Sequence, residues 1–132
     1  MNLDLSNKKV IITGGSTGIG KEVVTLFATN GAKVAIFDVN DTEGIELTNQ
    51  LNKDGHEIRY WHVDVRDSNQ VSGGVMAAEQ WLEGVDILIN LAGILQGASI
   101  NIEEFPDEIW DSVVGINLTG SYLMVKPLSL IH

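Results

Sequence analysis

The sequence predicts an α/β protein: one domain over residues 1–132, built on a parallel sheet with helices on both faces. Three observations predict it. Four short β-branched runs alternate with stretches of helical spacing. Runs such as VDILIN (residues 85–90) are apolar almost throughout, as in strands covered on both faces. The first run passes into the first helical stretch through a glycine-rich turn, TGGSTGIGKE (residues 13–22). Parallel neighbours need crossover connections, which are right-handed as a rule.

The strands are expected at residues 9–13, 33–38, 58–65 and 85–90. The first helix, residues 18–30, puts Ile19, Val23, Leu26 and Phe27 on one face. The second, residues 42–52, does the same with Ile45, Leu47 and Leu51. The third, residues 70–82, offers Val71, Val75, Ala78 and Leu82. The last and longest, residues 106–126, carries Ile109, Trp110, Val113, Val114, Ile116 and Leu123. Asp107 and Glu108 follow Pro106 in its first turn, where the helix dipole favours acids. Gly31 and Gly55 stand where helix-terminating glycines belong. No repeat, linker or low-complexity segment divides the chain.

Composition narrows the function. Hydrophobic residues are 44% of the chain, enough for a packed core. A formal net charge of −10 repels nucleic-acid phosphates, so no nucleic-acid partner is expected. A small anionic cofactor is still compatible, because backbone N–H groups and a helix dipole can hold it. The apolar stretch around Val85 to Leu95 contains Asp86 and Asn90 and is too short for a bilayer. The N-terminus lacks the pattern of a signal peptide, and there are no cysteines; a cytoplasmic protein is expected. His56, His62 and His132 form no evident metal set, so no metal is expected. Glu103, Glu104, Asp107 and Glu108 read as helix-start acids, and Ser99 has no visible base.

Two phosphate loops compete for the glycine turn. Gly15, Gly20 and Lys21 fit a P-loop up to its last position, where a hydroxyl should bind Mg²⁺. Glu22 stands there instead and would repel the phosphates. The runs VAIFD and YWHVD could each end a metal-binding strand, so a P-loop nucleotidase is one alternative. The other reading is a dinucleotide turn. Val23 replaces the third glycine of G-x-G-x-x-G, but Thr13, Gly14, Gly18 and Gly20 fit T-G-x-x-x-G-x-G. Glycines let the backbone approach a pyrophosphate, and the helix starting near Gly18 aims free N–H groups at it. Asp38 ends the second strand about twenty residues on, where an acid accepts hydrogen bonds from the adenosine ribose. Such an acid repels a 2′-phosphate. No arginine follows Asp38 and Thr17 is not basic, which favours NAD over NADP.

With these residues in place the sequence resembles the short-chain dehydrogenase/reductase family. Thr13-Gly14-Gly15-Ser16-Thr17-Gly18-Ile19-Gly20 looks like its cofactor turn. Asp38 sits where NAD-preferring members carry their acid, and Asp64-Val65 looks like the pair that contacts the adenine. Asn90-Leu91-Ala92-Gly93 resembles the family's N-N-A-G, which stabilises the sheet and lines the cleft; Leu91 departs from it. Asn117 matches the asparagine that supports the proton relay, the one catalytic position found. The resemblance implies a Rossmann-type sheet of about four strands in the order 3-2-1-4. It implies reversible hydride transfer between a small secondary alcohol or ketone and NAD.

The resemblance covers only the first half of a family domain. The family's catalytic serine lies on a later strand, and its tyrosine and lysine on the helix after that. Tyr122 and Lys126 have the Y-x-x-x-K spacing but share a helix with Asn117. At 100° per residue they point about 140° and 180° away from it, so they are read as a packing helix tyrosine and a lysine near the helix end. The chain is therefore expected to be a truncated form with little activity alone. The alternative is a non-catalytic NAD-binding or sheet-completing module. A fourth strand at the sheet edge, and a last helix lacking part of its packing partner with Leu128, Leu130 and Ile131 after Pro127, suggest self-association.

Overall fold

In the computed structural model, which describes residues 3–94, 96 and 99–129, all four expected strands form and pair in parallel. They are β1 (Lys9–Thr13), β2 (Lys33–Asp38), β3 (Ile58–His62) and β4 (Ile87–Asn90), in the order β3-β2-β1-β4. The helices are α1 (Gly18–Thr29), α2 (Asp41–Lys53), α3 (Ser68–Leu82), α4 (Asp107–Val114) and α5 (Gly120–Ser129). Leu95, Leu130, Ile131 and His132 lie outside the described residues.

Alternate residues of β1 and β2 feed two cores. Val10, Ile12, Val34 and Ile36 pack with Val24, Ala28, Leu47 and Leu51 of α1 and α2. Ile11, Ala35 and Phe37 pack on the other face with Val71, Val75 and Leu82 of α3 and Met124 of α5. The central strands are apolar throughout because helices cover both faces.

Several boundaries differ from expectation. β3 stops at His62 rather than Val65, because its neighbour β2 ends at the paired Asp38. Val63 N still donates to the Asp38 carbonyl at 3.0 Å, and the chain then turns away. β4 starts at Ile87 rather than Val85, and its Ile87, Leu88 and Ile89 are only half-buried because it has one neighbour. The helical faces also shift. α1 meets the sheet through Gly20, Val24 and Ala28, leaving Ile19 and Leu26 exposed. α2 uses Gly44, Leu47, Thr48 and Leu51, leaving Ile45 exposed. In both, small residues line the contact and allow the backbone to come close, which the apolar count misses. Gly31 and Gly55 do have positive φ, 99° and 92°, just beyond their helices.

The last helix is not uniform. Between α4 and α5 runs a π-helical turn, Gly115–Thr119, and α5 continues through Pro127. The wide turn shifts the helical phase, so Trp110 is exposed while Gly120, Met124 and Leu128 are buried. A 3-10 turn, Ile102–Glu104, precedes α4 and places Glu103 and Glu104 outside any long helix.

Candidate functional site

The carboxyl ends of β1, β2 and β4 open on a cleft of about 390 Å³. Such clefts form where strand order reverses, here at β1, with β2 on one side and β4 on the other. Its near wall is the glycine turn. Gly14 has φ 69°, and its N–H donates to the Phe37 carbonyl at 2.8 Å. A Cβ at Gly14 would stand 2.7 Å from Ala92 N, and one at Gly20 would run into the Gly14 carbonyl oxygen. These two positions accept no side chain, so α1 lies directly against the turn. Gly18 has φ 54° but faces open space, with nothing within 4 Å of a Cβ.

The start of α1 is electrostatically open. Thr17, its N-cap, makes no side-chain cap hydrogen bond, and no acid occupies the first turn. By contrast α2 has Asp41 and Glu43 there, α4 has Asp107 and Glu108, and α3 is capped by Asp67. The free N–H groups and dipole of α1 thus remain for an anion. Thr17, the 76%-exposed Ile19, and Gly20 line the cleft at this point. Lys21 and Glu22 are exposed, and Lys21 lines a separate cavity of about 280 Å³ between α1 and α2.

Asp38 forms the opposite wall at 8% exposure. One carboxylate oxygen accepts Ser16 N–H at 3.0 Å, and the other accepts Val39 N–H at 2.7 Å. The acid therefore ties the end of β2 to the glycine turn. Ser16 itself is 1% exposed and turned from the main cleft; together with Gly18 it lines the separate cavity. Its Oγ is the one buried side-chain polar atom without a partner among the described residues.

Asp64 and Val65 line the cleft beyond β3. Asp64 is held by Arg66, whose Nη2 lies 2.8 Å from its Oδ2 and whose Nε lies 3.1 Å from its Oδ1. These bonds hold the Asp64 carboxyl below the usual range. Arg66 also lines the cleft and was not among the expected residues, although Asp-x-Arg is readable in the sequence.

The remaining wall is the segment after β4. Thr13 Oγ1 donates to Asn90 Oδ1 at 3.3 Å, so Asn90 ties β4 to β1 behind the cleft and does not line it. Leu91, Ala92 and Gly93 do line it. Leu91 N lies 3.1 Å from the Thr13 carbonyl, so the backbone anchors a position where the side chain cannot. Asn117 sits in the π turn. Its Oδ1 accepts Ile94 N–H and its Nδ2 donates to the Ile94 carbonyl, both at 2.9 Å. It clamps the backbone of the cleft rim. Tyr122 is 61% exposed, and neither it nor Lys126 lines the cleft.

The family comparison agrees with this arrangement. The family model described as short chain dehydrogenase matches residues 8–129. The chain belongs to that family. The (+)-borneol dehydrogenase 1 of Salvia officinalis is 41% identical over 92% of this chain and 46% of its own length. The 3-oxoacyl-[acyl-carrier-protein] reductase of Chlamydia pneumoniae is 37% identical over 92% of this chain and 48% of its own. A short-chain type dehydrogenase/reductase structure from Mycobacterium marinum superposes with a TM-score of 0.89 at 30% identity, covering 97% of this chain and 51% of that one. The chain thus spans about half the length of these relatives. A short-chain dehydrogenase uses a nicotinamide dinucleotide, so the P-loop nucleotidase alternative falls. No helix among the described residues is long and apolar enough to cross a membrane.

Proposed function

We propose that this chain binds NAD, in preference to NADP, as the cofactor-binding half of an oxidoreductase acting on a small secondary alcohol or ketone. The observation that carries this is the pairing of the uncapped, acid-free α1 N-terminus with Asp38 across one cleft. Gly14 and Gly20 let α1 lie directly against the turn, and Gly18 at its start faces open space, which fits a pyrophosphate at the α1 N-terminus. Bound NAD supplies hydride exchange at its nicotinamide ring. The protein's part is to bind and orient it. Gly14, Gly18 and Gly20 allow close approach, and Thr17 and Ile19 flank the phosphates. Asp38 accepts from the adenosine ribose and repels a 2′-phosphate. Asp64 and Val65 meet the adenine, while Ala92 and Gly93 floor the nicotinamide side. Asn117 holds the Ile94 backbone in place for that end of the cleft.

Among the described residues no serine, tyrosine and lysine converge on the cleft to move the substrate proton. The part proposed for these residues is to bind and orient the cofactor. Calorimetric titration with NAD, NADP and Mg-ATP tests the reading. NAD is expected to bind most tightly, and Asp38→Ala to weaken it about tenfold, in line with the loss of hydrogen bonds to a charged group. Absence of NAD binding by the unmodified chain overturns the proposal.

A further inference from the structure

A hydrogen-bond path runs behind Asp38 that no cofactor motif includes. Tyr60 lies on β3 opposite Ile36 of β2. Its hydroxyl is 2.9 Å from the Asp38 carbonyl oxygen and 2.5 Å from Asp41 Oδ1. The same Asp41 oxygen is 2.7 Å from His62 Nδ1. Two side chains of β3 therefore reach the first residue of α2, and the single hydroxyl proton of Tyr60 is shared between the Asp41 carboxylate and the Asp38 carbonyl. The Asp38 carbonyl receives a second bond from Val63 N–H at 3.0 Å. At its other end the Asp38 carboxylate is fixed by Ser16 N–H. One residue is thus pinned both at its backbone and at its charge.

The packing around Tyr60 supports the same role. A Cβ on Gly44 of α2 would collide with the Tyr60 ring and come within 2.7 Å of Ser16 Oγ. A residue without a side chain lets the ring lie against α2 close to the glycine turn. The ring is partly buried, and its hydroxyl is directed at the turn that follows β2.

We infer that Tyr60, braced by Asp41, is a positioning residue that holds Asp38 for the adenosine ribose and so sets the preference for NAD over NADP. The inference rests on the cofactor reading proposed above. A carboxylate that cannot swing aside stays where a 2′-phosphate would come. A carboxylate on a loosened turn can rotate away, which removes the repulsion and weakens the ribose bonds together.

The test is titration of the full chain with NAD and NADP, for the wild type and for Tyr60→Phe, alongside thermal melting. The Phe ring keeps the packing and removes only the hydroxyl. The expected result is a three- to tenfold fall in the NAD-to-NADP affinity ratio, the size of one net hydrogen bond, with NADP affinity unchanged or raised. A merely structural residue would lower both affinities together, so an unchanged ratio overturns the inference. If Tyr60→Phe does not fold, Asp41→Asn is read the same way: a reduced ratio supports the inference and an unchanged one overturns it. A wild type that binds neither dinucleotide is a different result. It overturns the cofactor reading, and this inference with it.

Discussion

Glycines and two acids, Asp38 and Asp64, stand among the cleft residues, and each is limited by a different contact. Gly20 is excluded from having a side chain by the Gly14 carbonyl, whereas Gly18 is constrained only by its φ of 54°. Gly20→Ala is therefore expected to cost more than about 2 kcal/mol, since backbone must move. Gly18→Ala should cost about 1 kcal/mol, the strain of a left-handed residue. Urea unfolding of the two variants checks the order. Asp64 gives a pH prediction. Arg66 holds its carboxyl below the ordinary 3.8, so the folded state is the stronger acid. The stability it contributes is present above the unfolded value and is lost as pH falls through the folded one. Arg66 is about half exposed, so Arg66→Gln should cost less than about 1 kcal/mol at neutral pH. The two proteins should become equally stable as the pH drops below the folded Asp64 value. NMR titration should show the Asp64 carboxyl moving up toward its ordinary value in the variant. At this scale most of the residues expected at the cofactor do line one cleft, because glycine spacing and strand-end acids leave a linear pattern. The Arg66–Asp64 pair is local and readable but was not expected, whereas the Tyr60–Asp38 contact joins residues that sheet register alone brings together.

At the scale of elements, strand positions and helix order follow from the alternation of apolar runs. Helix faces do not, as Ile19, Leu26 and Ile45 show. A hydrophobic period marks a helix, but which line touches the sheet depends on how near the helix can lie. Here Gly20, Ala28 and Gly44 permit the approach and turn larger side chains outward. The π turn was also invisible, because it inserts one residue of phase without a sequence signature. Its consequence is local: Asn117 faces the Ile94 backbone and makes a paired donor–acceptor clamp. Asn117→Ala should speed hydrogen exchange at the Ile94 amide roughly tenfold, and lower global stability by only about 1 kcal/mol. Unchanged exchange at Ile94 would show that the clamp does not hold the rim.

For the whole molecule, the order β3-β2-β1-β4 puts β4 at an edge with one neighbour. Beside it, Val85, Ile87 and Leu88 with Val125 and Leu128 of α5 line a groove of about 250 Å³. An unpaired apolar edge invites pairing with another chain. We propose self-association through this face, and expect sedimentation of the 132-residue chain to show an average mass that rises with concentration. A single monomeric species across micromolar to millimolar concentrations would refute it.

The sequence by itself determined the fold class and the family, and it marked the glycine turn and the strand-end acids, because these depend on the order and spacing of residues along the chain. Only the tertiary structure decided which atoms share the cleft. It turned Ser16 away from the main cleft, set Asn90 behind it, added Arg66 to its wall, and bound Asp38 to the glycine turn and to Tyr60. The physical reason is that these relations join residues far apart in sequence, whose distances are set by sheet register and helix approach and leave no periodic trace.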